Sequence, residues 1–392
     1  MSERKRRAHF DDPRGAVTPL LVFSDDWGRH PSSCQHLTAR LLYGRDVWWC
    51  NTIGTRPPRF DWYTATRGVQ KLGEWFGPQR PLPQAEANAG PTPTVLKPAM
   101  WPSCRRGWER RLNAKLLSKA LAKAIPAGTE PVVVTTVPLT AGLIGRIPAR
   151  KWVYYCVDDL AAWPGLDRKP LEEMERELVA KAETIVAVSE HLRTRIKAMG
   201  RDSTLLTHGV DLNAWSRGGP APAWDFPRPW TVFWGLIDQR LDVAAVRALA
   251  ALAGTLVMVG PENNPDPALA ELPNLRRPGP VDFAALPGLA AAADLLAMPY
   301  ADLEATRAMQ PLKFKEYLAS GKPTIARRLP ATEEWADAAD LCTTPEDFAA
   351  AARRRLSEGV PAAQVSARKR LAAEGWDAKA KALAAAWGEA LA

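Results

Sequence analysis

Short apolar runs alternate along the chain with segments in which apolar residues recur at every third or fourth position. The runs LLVFS, VVVTTV, TIVAVS and TLVMVG are continuous, as expected for strands buried on both faces of a parallel sheet. Segments such as WERRLNAKLLSKALAKAI, which lie between such runs, have helical spacing. The alternation therefore predicts an α/β protein with parallel sheets covered by helices on both faces.

The pattern is interrupted by a linker that divides the chain. Residues 216–229, SRGGPAPAWDFPRP, are rich in Gly and Pro, and the alternation restarts after them at WTVFWGLI. A chain of 392 residues is also longer than one ordinary core requires. We therefore predict two doubly wound units, residues 1–215 and 216–375, followed by a C-terminal helix within 376–392. Their ligand is expected in the cleft at the carboxyl ends of the strands.

Two strands of the first unit end in a pair of aspartates. Asp25 and Asp26 follow the first strand, and Asp158 and Asp159 follow the strand KWVYYC. At the carboxyl ends of strands these carboxylates could hold substrate hydroxyls or act as a general base. Helix capping is the structural alternative. His30, shortly after the first pair, is a further candidate because an imidazole can take a proton near neutral pH.

The second unit has features of a diphosphate site at the ends of two strands. Gly235 ends its first strand, Arg240 lies just beyond near a helix start, and Gly260 ends the next strand. A glycine turn, a helix N-terminus and an arginine can together hold a diphosphate, and an ordinary strand-to-helix turn is the alternative. Neither G-x-G-x-x-G nor the Walker pattern occurs, which disfavours dehydrogenases and P-loop enzymes.

The segment MQPLKFKEYLASGKPTIA, Met309 to Ala326, predicts a short helix followed by a strand. Pro311 suits the first helical turn, where its missing N–H costs no hydrogen bond. The free N–H groups of that turn can face a phosphate. Glu316 lies further along the helix, where it could hold hydroxyl groups of a ligand or simply interact with the positive helix end.

The chain is basic, with a formal net charge of +9. Its cations cluster at RKRR, CRRGWERR, RRR and RKR, which indicates either attraction to anionic lipids or phosphate-bearing substrates, or solvated helix faces. No motif of an RNA- or DNA-binding module is present, so we predict no nucleic-acid partner. Residues 78–102 are rich in proline and are predicted mostly as loop.

Cysteine usage and hydropathy indicate the cellular compartment in which the protein is expected. The five cysteines are an odd number without C-x-x-C spacing, which argues against a zinc site and a disulfide framework and fits a reducing cytoplasm. The charged N-terminus does not look like a signal peptide, and no stretch approaches the roughly 20 apolar residues of a spanning helix. Contact with a membrane, if it occurs, is therefore expected to be peripheral.

Four motifs in order along the chain resemble those of GT-B-fold glycosyltransferases of group 1, also described as glycosyltransferase family four-like. These enzymes use nucleotide sugars as donors. YYCVDDLAAW resembles Y-D-C-V-D-D-W, ETIVAVSEHL resembles A-D-x-V-x-x-x-S-x-x-L, and HGVDL resembles N-G-V-D. PLKFKEYLASGKPTIA is similar to P-x-K-L-x-E-Y-L-A-x-G-x-P-V-V-A and is the most specific. The resemblance covers most of the chain and implies two Rossmann-like domains facing across a cleft, the first binding the acceptor and the second the donor.

The resemblance also implies roles for individual residues. Glu316 would hold the ribose hydroxyls of the donor, and Leu312 and Lys313, beside Pro311, would lie by the diphosphate. Arg240 falls near the basic position that binds phosphate in the family. The resemblance further implies that the C-terminal helix crosses back onto the first domain.

One position departs from the family pattern. The retaining enzymes place a second glutamate eight residues before the one that binds ribose, but this chain has Ala308 there, with Glu304 and Thr306 nearby. Retaining and inverting chemistry therefore both stay open. An inverting enzyme would use one of the strand-end aspartates as the base, whereas in a retaining enzyme the leaving phosphate could take the proton.

The function expected from these features is that of a cytoplasmic glycosyltransferase. It would move a sugar from a nucleotide-diphosphate sugar to a glycan or lipid-linked acceptor in polysaccharide or glycolipid synthesis, against an anionic membrane face. No cofactor is expected, and no metal is required if cations stabilise the diphosphate, since no Asp-x-Asp motif is present. A nucleotide-sugar epimerase of the same fold and a non-catalytic sugar-binding protein are the alternatives.

Overall fold

The computed structural model describes residues 17–28, 32–52, 91–163 and 166–391. Within them, the N-terminal half forms a seven-stranded parallel sheet in the order β3-β2-β1-β4-β5-β6-β7. Its strands are β1 (Leu20–Ser24), β2 (Val47–Asn51), β3 (Thr94–Leu96), β4 (Val132–Thr135), β5 (Lys151–Cys156), β6 (Thr184–Ala187) and β7 (Thr204–Leu205).

Helices cover both faces of this sheet, because its central strands are apolar on both sides. Leu20 and Val22 face one buried cluster, whereas Leu21 and Phe23 face the other. The edge strand β3 lies in the proline-rich segment that was predicted mostly as loop. The helices of this half are α1 (Ser33–Arg40), α2 (Gly107–Ala124), α3 (Arg168–Lys181) and α4 (Glu190–Ala198).

The C-terminal half repeats this architecture with a six-stranded parallel sheet in the order β10-β9-β8-β11-β12-β13. The strands are β8 (Trp230–Trp234), β9 (Thr255–Val259), β10 (Leu275–Gly279), β11 (Leu295–Met298), β12 (Thr324–Arg327) and β13 (Asp340–Cys342). The helices are α5 (Leu212–Arg217), α6 (Val243–Ala250), α7 (Leu286–Ala292), α8 (Glu304–Ala308), α9 (Leu312–Ala319), α10 (Pro330–Glu333), α11 (Pro345–Glu358), α12 (Ala362–Arg368) and α13 (Trp376–Ala385).

The predicted fold class is confirmed, because two doubly wound α/β sheets follow one another along the chain. In each sheet the strand order reverses beside the first strand, β1 or β8. Ligands of doubly wound proteins bind outside the carboxyl ends of the strands at such a reversal. The residues that follow β1, β5, β8 and β9 are therefore the expected location of a ligand site.

The C-terminal helix α13 packs against α1 of the first sheet. Trp376 and Leu383 belong to the same buried cluster as the residues of β1 and β5. The imidazole of His36 stacks on the Trp376 ring with 4.6 Å between centroids. A Cβ atom on Gly209 would lie 2.8 Å from the Trp376 ring, so the chain needs glycine at the point where the two halves join.

Candidate functional site

Glu316 lies on α9, close to the carboxyl end of β8. The residue is only 9% exposed, and its Oε2 accepts a hydrogen bond from the indole Nε1 of Trp234 at 3.2 Å. Burial raises the pKa of Glu316 to about 7, although the Trp234 hydrogen bond and the positive charge of Lys313 act in the opposite direction. A carboxylate held in this way keeps acceptor capacity for the hydroxyl groups of a ligand.

Trp234 is held in place by two other aromatic residues. It stacks on Trp215 with 5.4 Å between centroids and an interplanar angle of 4°, and it meets Tyr317 edge to face at 4.2 Å. Trp234 was missed as a site residue because its position in the apolar run WTVFW predicts core packing. Its position directly before Gly235, at the end of a strand, was the one sequence feature that could have identified it.

Gly235 and Gly260 directly follow β8 and β9, and Gly235 lies beside Lys313 of α9. Gly235 has φ +133°, and a Cβ atom there would overlap Nζ of Lys313. A Cβ atom on Gly260, which has φ +150°, would overlap the carbonyl oxygen of Gly235. Glycine at position 235 thus leaves room for Lys313, and glycine at position 260 leaves room for the backbone of Gly235.

Lys313 lies in the first turn of α9, and its ammonium group points at the end of β8. Pro311 directly precedes the first helical residue, Leu312, and is the N-cap of α9. Nζ of Lys313 donates to the hydroxyl of Tyr300 at 2.6 Å and lies 4.6 Å from the centroid of Phe233. The side chain of Leu312 packs against the buried cluster of the first sheet.

Arg240 lies at the boundary between the two halves of the chain. Its Nε donates to both carboxylate oxygens of Asp238 at 3.0 and 3.1 Å. Its guanidinium carbon lies 4.5 Å from the ring centroid of Trp163, which belongs to the first half, and 5.8 Å from that of Tyr300. Tyr300 therefore stands between the two cations, Arg240 and Lys313. Sequence reasoning missed Tyr300 and Asp238, since neither belongs to a motif.

Asp158 faces Arg240 from the first half of the chain. Burial raises the pKa of Asp158 to about 7, with a smaller contribution from neighbouring Asp159, while the charge of Arg240 acts in the opposite direction. A carboxyl group with such a pKa is poised to accept a proton near neutral pH. Asp158 belongs to the first half of the chain, so this charge interaction with Arg240 joins the two halves.

Asp159 points into a buried ion network instead. Its carboxylate lies 3.0 Å from Nε of Arg195, and Arg195 in turn contacts Glu175 at 2.5 Å. The hydroxyl of Tyr154 donates to Glu175 at 2.8 Å, and Oδ1 of Asp159 caps Ala161. The expectation that Asp159 acts as a base is not supported, because these partners engage both of its oxygens.

Asp25 and Asp26 follow β1 at the same edge of the first sheet. The carboxylate of Asp25 accepts hydrogen bonds from Ser24, Ser32 and Gln35 at 2.9–3.0 Å. Desolvation still raises the pKa of Asp25 above its usual value. The backbone carbonyl of Asp26 accepts from Gln35 at 3.2 Å. His30 lies outside the described residues.

The position eight residues before Glu316 supplies no carboxylate. Ala308 is 1% exposed, and its carbonyl oxygen accepts from the Ser189 hydroxyl at 3.0 Å. The carboxylate of Glu304 is paired with Arg168 at 3.2 Å, and Thr306 is fully buried. The departure seen in the sequence is therefore also a feature of the folded site.

No three His, Cys, Asp or Glu side chains among the described residues are grouped so that they could hold a metal ion. In the same residues, no helix is long and apolar enough to cross a membrane.

Comparison with solved structures identifies the class of fold. Sucrose-phosphate synthase from Thermosynechococcus elongatus superposes with a TM-score of 0.67 at 15% identity, over 94% of this chain and 98% of that one. HepE from Anabaena, solved in complex with UDP and glucose, gives a TM-score of 0.65 at 14% identity, over 94% and 98%. These likenesses show the GT-B fold, and so confirm that part of the resemblance.

Sequence comparison finds a family match within the second half of the chain. Residues 237–358 match the family model described as glycosyl transferases group 1, and this range contains Arg240, Lys313 and Glu316. The chain is 30% identical over 181 residues to the putative teichuronic acid biosynthesis glycosyltransferase TuaH of Bacillus subtilis (strain 168). That match covers 43% of this chain and 46% of TuaH, less than half of either protein. The predicted resemblance to group 1 glycosyltransferases is thereby confirmed.

Proposed function

We propose that this protein is a glycosyltransferase that moves a sugar from a nucleotide-diphosphate sugar to a glycan or lipid-linked acceptor. The observation that carries the proposal is the cluster of Glu316, Trp234, Lys313 and Arg240 around the end of β8. Three members of this cluster, Glu316, Lys313 and Arg240, lie within the group 1 match. The name of TuaH supports a role in polysaccharide synthesis, and the bound UDP and glucose of HepE support the donor class.

Each part of the cluster has a task in this proposal. Glu316 accepts hydrogen bonds from the ribose hydroxyls of the donor. The N–H groups at the start of α9, together with Lys313 and Arg240, surround the diphosphate and stabilise the charge that grows on it as it leaves. These cations perform the task that a metal ion performs elsewhere, so we expect turnover without a metal.

The transfer forms a bond between the anomeric carbon of the sugar and the acceptor oxygen, and breaks the bond from that carbon to the phosphate. The acceptor hydroxyl loses its proton in the same process. Asp158 takes this proton if the configuration is inverted, because its pKa is near 7 and it follows β5 at the carboxyl edge of the first sheet. If the configuration is retained, the leaving diphosphate takes it. Residues 1–215 would bind the acceptor and residues 216–375 the donor.

A protein that binds the donor without transferring the sugar is the second candidate. It is favoured by the buried Ala308, which leaves the sugar without the carboxylate expected eight residues before Glu316. In both candidates the nucleotide site is the same, so binding alone cannot separate them.

A panel of nucleotide sugars tests both candidates. Thermal shift identifies the donors that bind, and release of nucleoside diphosphate is then followed with those donors, with and without a lipid extract as the acceptor source. Transfer requires release that depends on the acceptor. Binding without release supports the second candidate, and interconversion of epimers supports an epimerase. Binding of no donor would contradict the proposed site.

We also propose that the enzyme works in the cytoplasm, at the inner face of the membrane. The support is the basic character of the chain, which favours anionic surfaces. Cell fractionation checks this location, since recovery only from the soluble fraction at low salt would contradict it.

A further inference from the structure

The outer face of α2 carries a row of cations. Its inner face buries Ala114, Leu117 and Leu121 against the first sheet. The outer face exposes one aromatic residue and four basic residues, which recur at intervals of three or four positions. They are Trp108, Arg111, Lys115, Lys119 and Lys123.

The basic row has no counter-charge among the residues that the structure describes. Arg111, Lys115, Lys119 and Lys123 stand four positions apart, so like charges are neighbours on the helix surface, which destabilises it. In the described part of the chain none of them forms an ion pair. Glu109, the single acid of α2, is buried in the helix cap, where it accepts from Ser103 and from the backbone of Arg106.

The basic residues at the start of α2 behave differently, which makes the row specific. Arg110 pairs with Glu173 at 2.7 Å, and Arg105 pairs with Asp167 at 2.5 Å. Glu173 on α3 and Asp167, directly before α3, therefore neutralise the cations on the side of α2 that faces α3. The outward row is left without a partner anion in the described residues, and it is therefore available to an external anion.

Two exposed indole rings lie at the N-terminal end of this row. Trp101 and Trp108 are 42% and 44% exposed, and their ring centroids are 5.5 Å apart. The backbone of Trp101 is fixed by Asn113, which accepts from its N–H at 2.7 Å and donates to its carbonyl at 3.1 Å. Exposed indoles on a rigid support prefer the boundary between lipid headgroups and acyl chains.

The topology connects this surface with the cleft. Because β3 is parallel to its neighbours, the segment that follows it leaves from the carboxyl edge of the first sheet. Trp101 and the start of α2 therefore belong to the edge at which Asp25 and Asp158 end their strands. A bilayer at this carboxyl edge would therefore hold a lipid-linked molecule at the edge of the sheet where the cleft is expected.

We propose that the outer face of α2, with Trp101, Trp108 and the basic row, binds the surface of a bilayer that contains anionic phospholipid. A flat surface can reach these residues together, since Trp108 and the basic row project from one side of α2 and the ring of Trp101 packs beside that of Trp108. Single-stranded nucleic acid is bound instead in basic grooves with open aromatic faces, whereas these two rings pack on each other. This proposal identifies the surface that would hold the protein at the membrane location proposed above. Its biological role rests on the proposed glycosyltransferase function, but the binding itself does not.

Flotation with lipid vesicles tests the basic row in the full-length protein. Binding is compared for phosphatidylcholine vesicles and for vesicles that also contain phosphatidylglycerol. The test variant is Lys115→Gln/Lys119→Gln/Lys123→Gln, because glutamine keeps helix propensity. Each basic residue near an anionic surface contributes about fivefold to binding, so we expect the triple variant to partition on the order of a hundredfold more weakly.

A matched control removes the same charge elsewhere. Three other exposed cations form no ion pair within the described residues, and the control variant replaces them together: Arg353→Gln/Lys369→Gln/Lys381→Gln. This variant should bind anionic vesicles much as the unchanged protein does. An equal loss in both triple variants would mean that net charge alone drives binding, which would overturn the proposal.

The indole rings are tested separately with lipids brominated in their acyl chains, which quench tryptophan fluorescence on contact. The unchanged protein should be quenched, and Trp101→Phe/Trp108→Phe should lose most of that quenching, since the proposal places these two rings in contact with the lipid. Unchanged quenching in the double variant would overturn the role of the rings.

Two further readouts make the result independent of sugar transfer. A single-stranded oligonucleotide is used as a competing polyanion, and tighter binding to it than to anionic vesicles would overturn the lipid assignment. Donor binding by thermal shift should be the same in both triple variants. Loss of vesicle binding with intact donor binding thus separates a failure of this surface from a failure of the donor site.

Discussion

The replacement Glu316→Gln gives the sharpest test of the donor site, because it removes a charge while changing the volume very little. The glutamine oxygen can still accept the hydrogen bond that Trp234 donates at 3.2 Å. The cavity, the helix and the aromatic packing should therefore persist. What disappears is the negative charge that would receive the ribose hydroxyls.

The structure sets the size of the expected loss. A hydrogen bond to a charged group contributes about 1.5–3 kcal/mol, against about 1 kcal/mol for a neutral pair. A glutamine that keeps a single acceptor for the ribose should thus lose about 2 kcal/mol of donor affinity, or roughly 30-fold. Isothermal titration calorimetry with a nucleotide sugar measures this difference directly.

The pH dependence gives a second signature of the same carboxyl group. Its pKa of about 7 in the folded protein means that half of the molecules are protonated at neutral pH. Because donor hydroxyls require the ionised form, affinity should rise as the pH rises through about 7 and then level off. The diphosphate diester of a nucleotide sugar does not titrate in this range. Glu316→Gln should therefore show weak, flat binding.

Stability should change in the opposite direction. Since the pKa of Glu316 is raised from 4.5 to about 7, the folded state holds an extra proton in that window. The free energy of unfolding therefore falls as pH rises through the window, by about 3 kcal/mol at most for this shift. Glu316→Gln removes that cost, so above pH 7 it should melt at a higher temperature than the unchanged protein.

Glu304→Gln is the matched control, since it removes a carboxylate from the neighbouring helix α8. The side chain of Glu304 is 54% exposed, and its ion pair with Arg168 should contribute at most about 1 kcal/mol. It should alter neither donor affinity nor its pH dependence. The reasoning is refuted if Glu316→Gln binds the donor as tightly as the unchanged protein, or if the pH dependence survives in that variant.

Three further predictions concern the diphosphate, the junction and the base. Lys313→Met should weaken binding of a nucleoside diphosphate by about tenfold or more but leave binding of the nucleoside unchanged, and equal losses in calorimetry would contradict a phosphate contact. Gly209→Ala places a Cβ atom 2.8 Å from the Trp376 ring. It should lower the free energy of unfolding by about 1–3 kcal/mol, and an unchanged denaturant midpoint would contradict this packing. Asp158→Asn should lower turnover by about 100-fold or more without changing donor affinity. If Asp158 is the base, turnover of the unchanged protein should rise with pH through about 7, because only the ionised carboxyl accepts a proton; a flat profile would argue for retention.

Much of the donor side could be read from the sequence, because it depends on short segments. Glu316, Lys313 and Pro311 lie within a single helix, whose spacing and proline are visible in one stretch. Gly235 and Gly260 could be found because strand ends that approach another backbone require glycine. The aspartate pairs could be placed at one edge, but their roles could not be separated. Asp158 and Asp159 are adjacent in sequence, yet one faces Arg240 and the other an internal ion network.

The sequence by itself determined the two doubly wound units, because strand and helix periodicity depend on neighbours within a few residues. Only the tertiary structure decided which side chains act together. Trp234 meets Glu316 from 82 residues away, and Trp163 reaches Arg240 from the other half of the chain. Burial within that assembled site, rather than any local pattern, raises the pKa of Glu316. Contacts between distant segments form only when the sheets are closed and packed, so no local pattern in the chain encodes them.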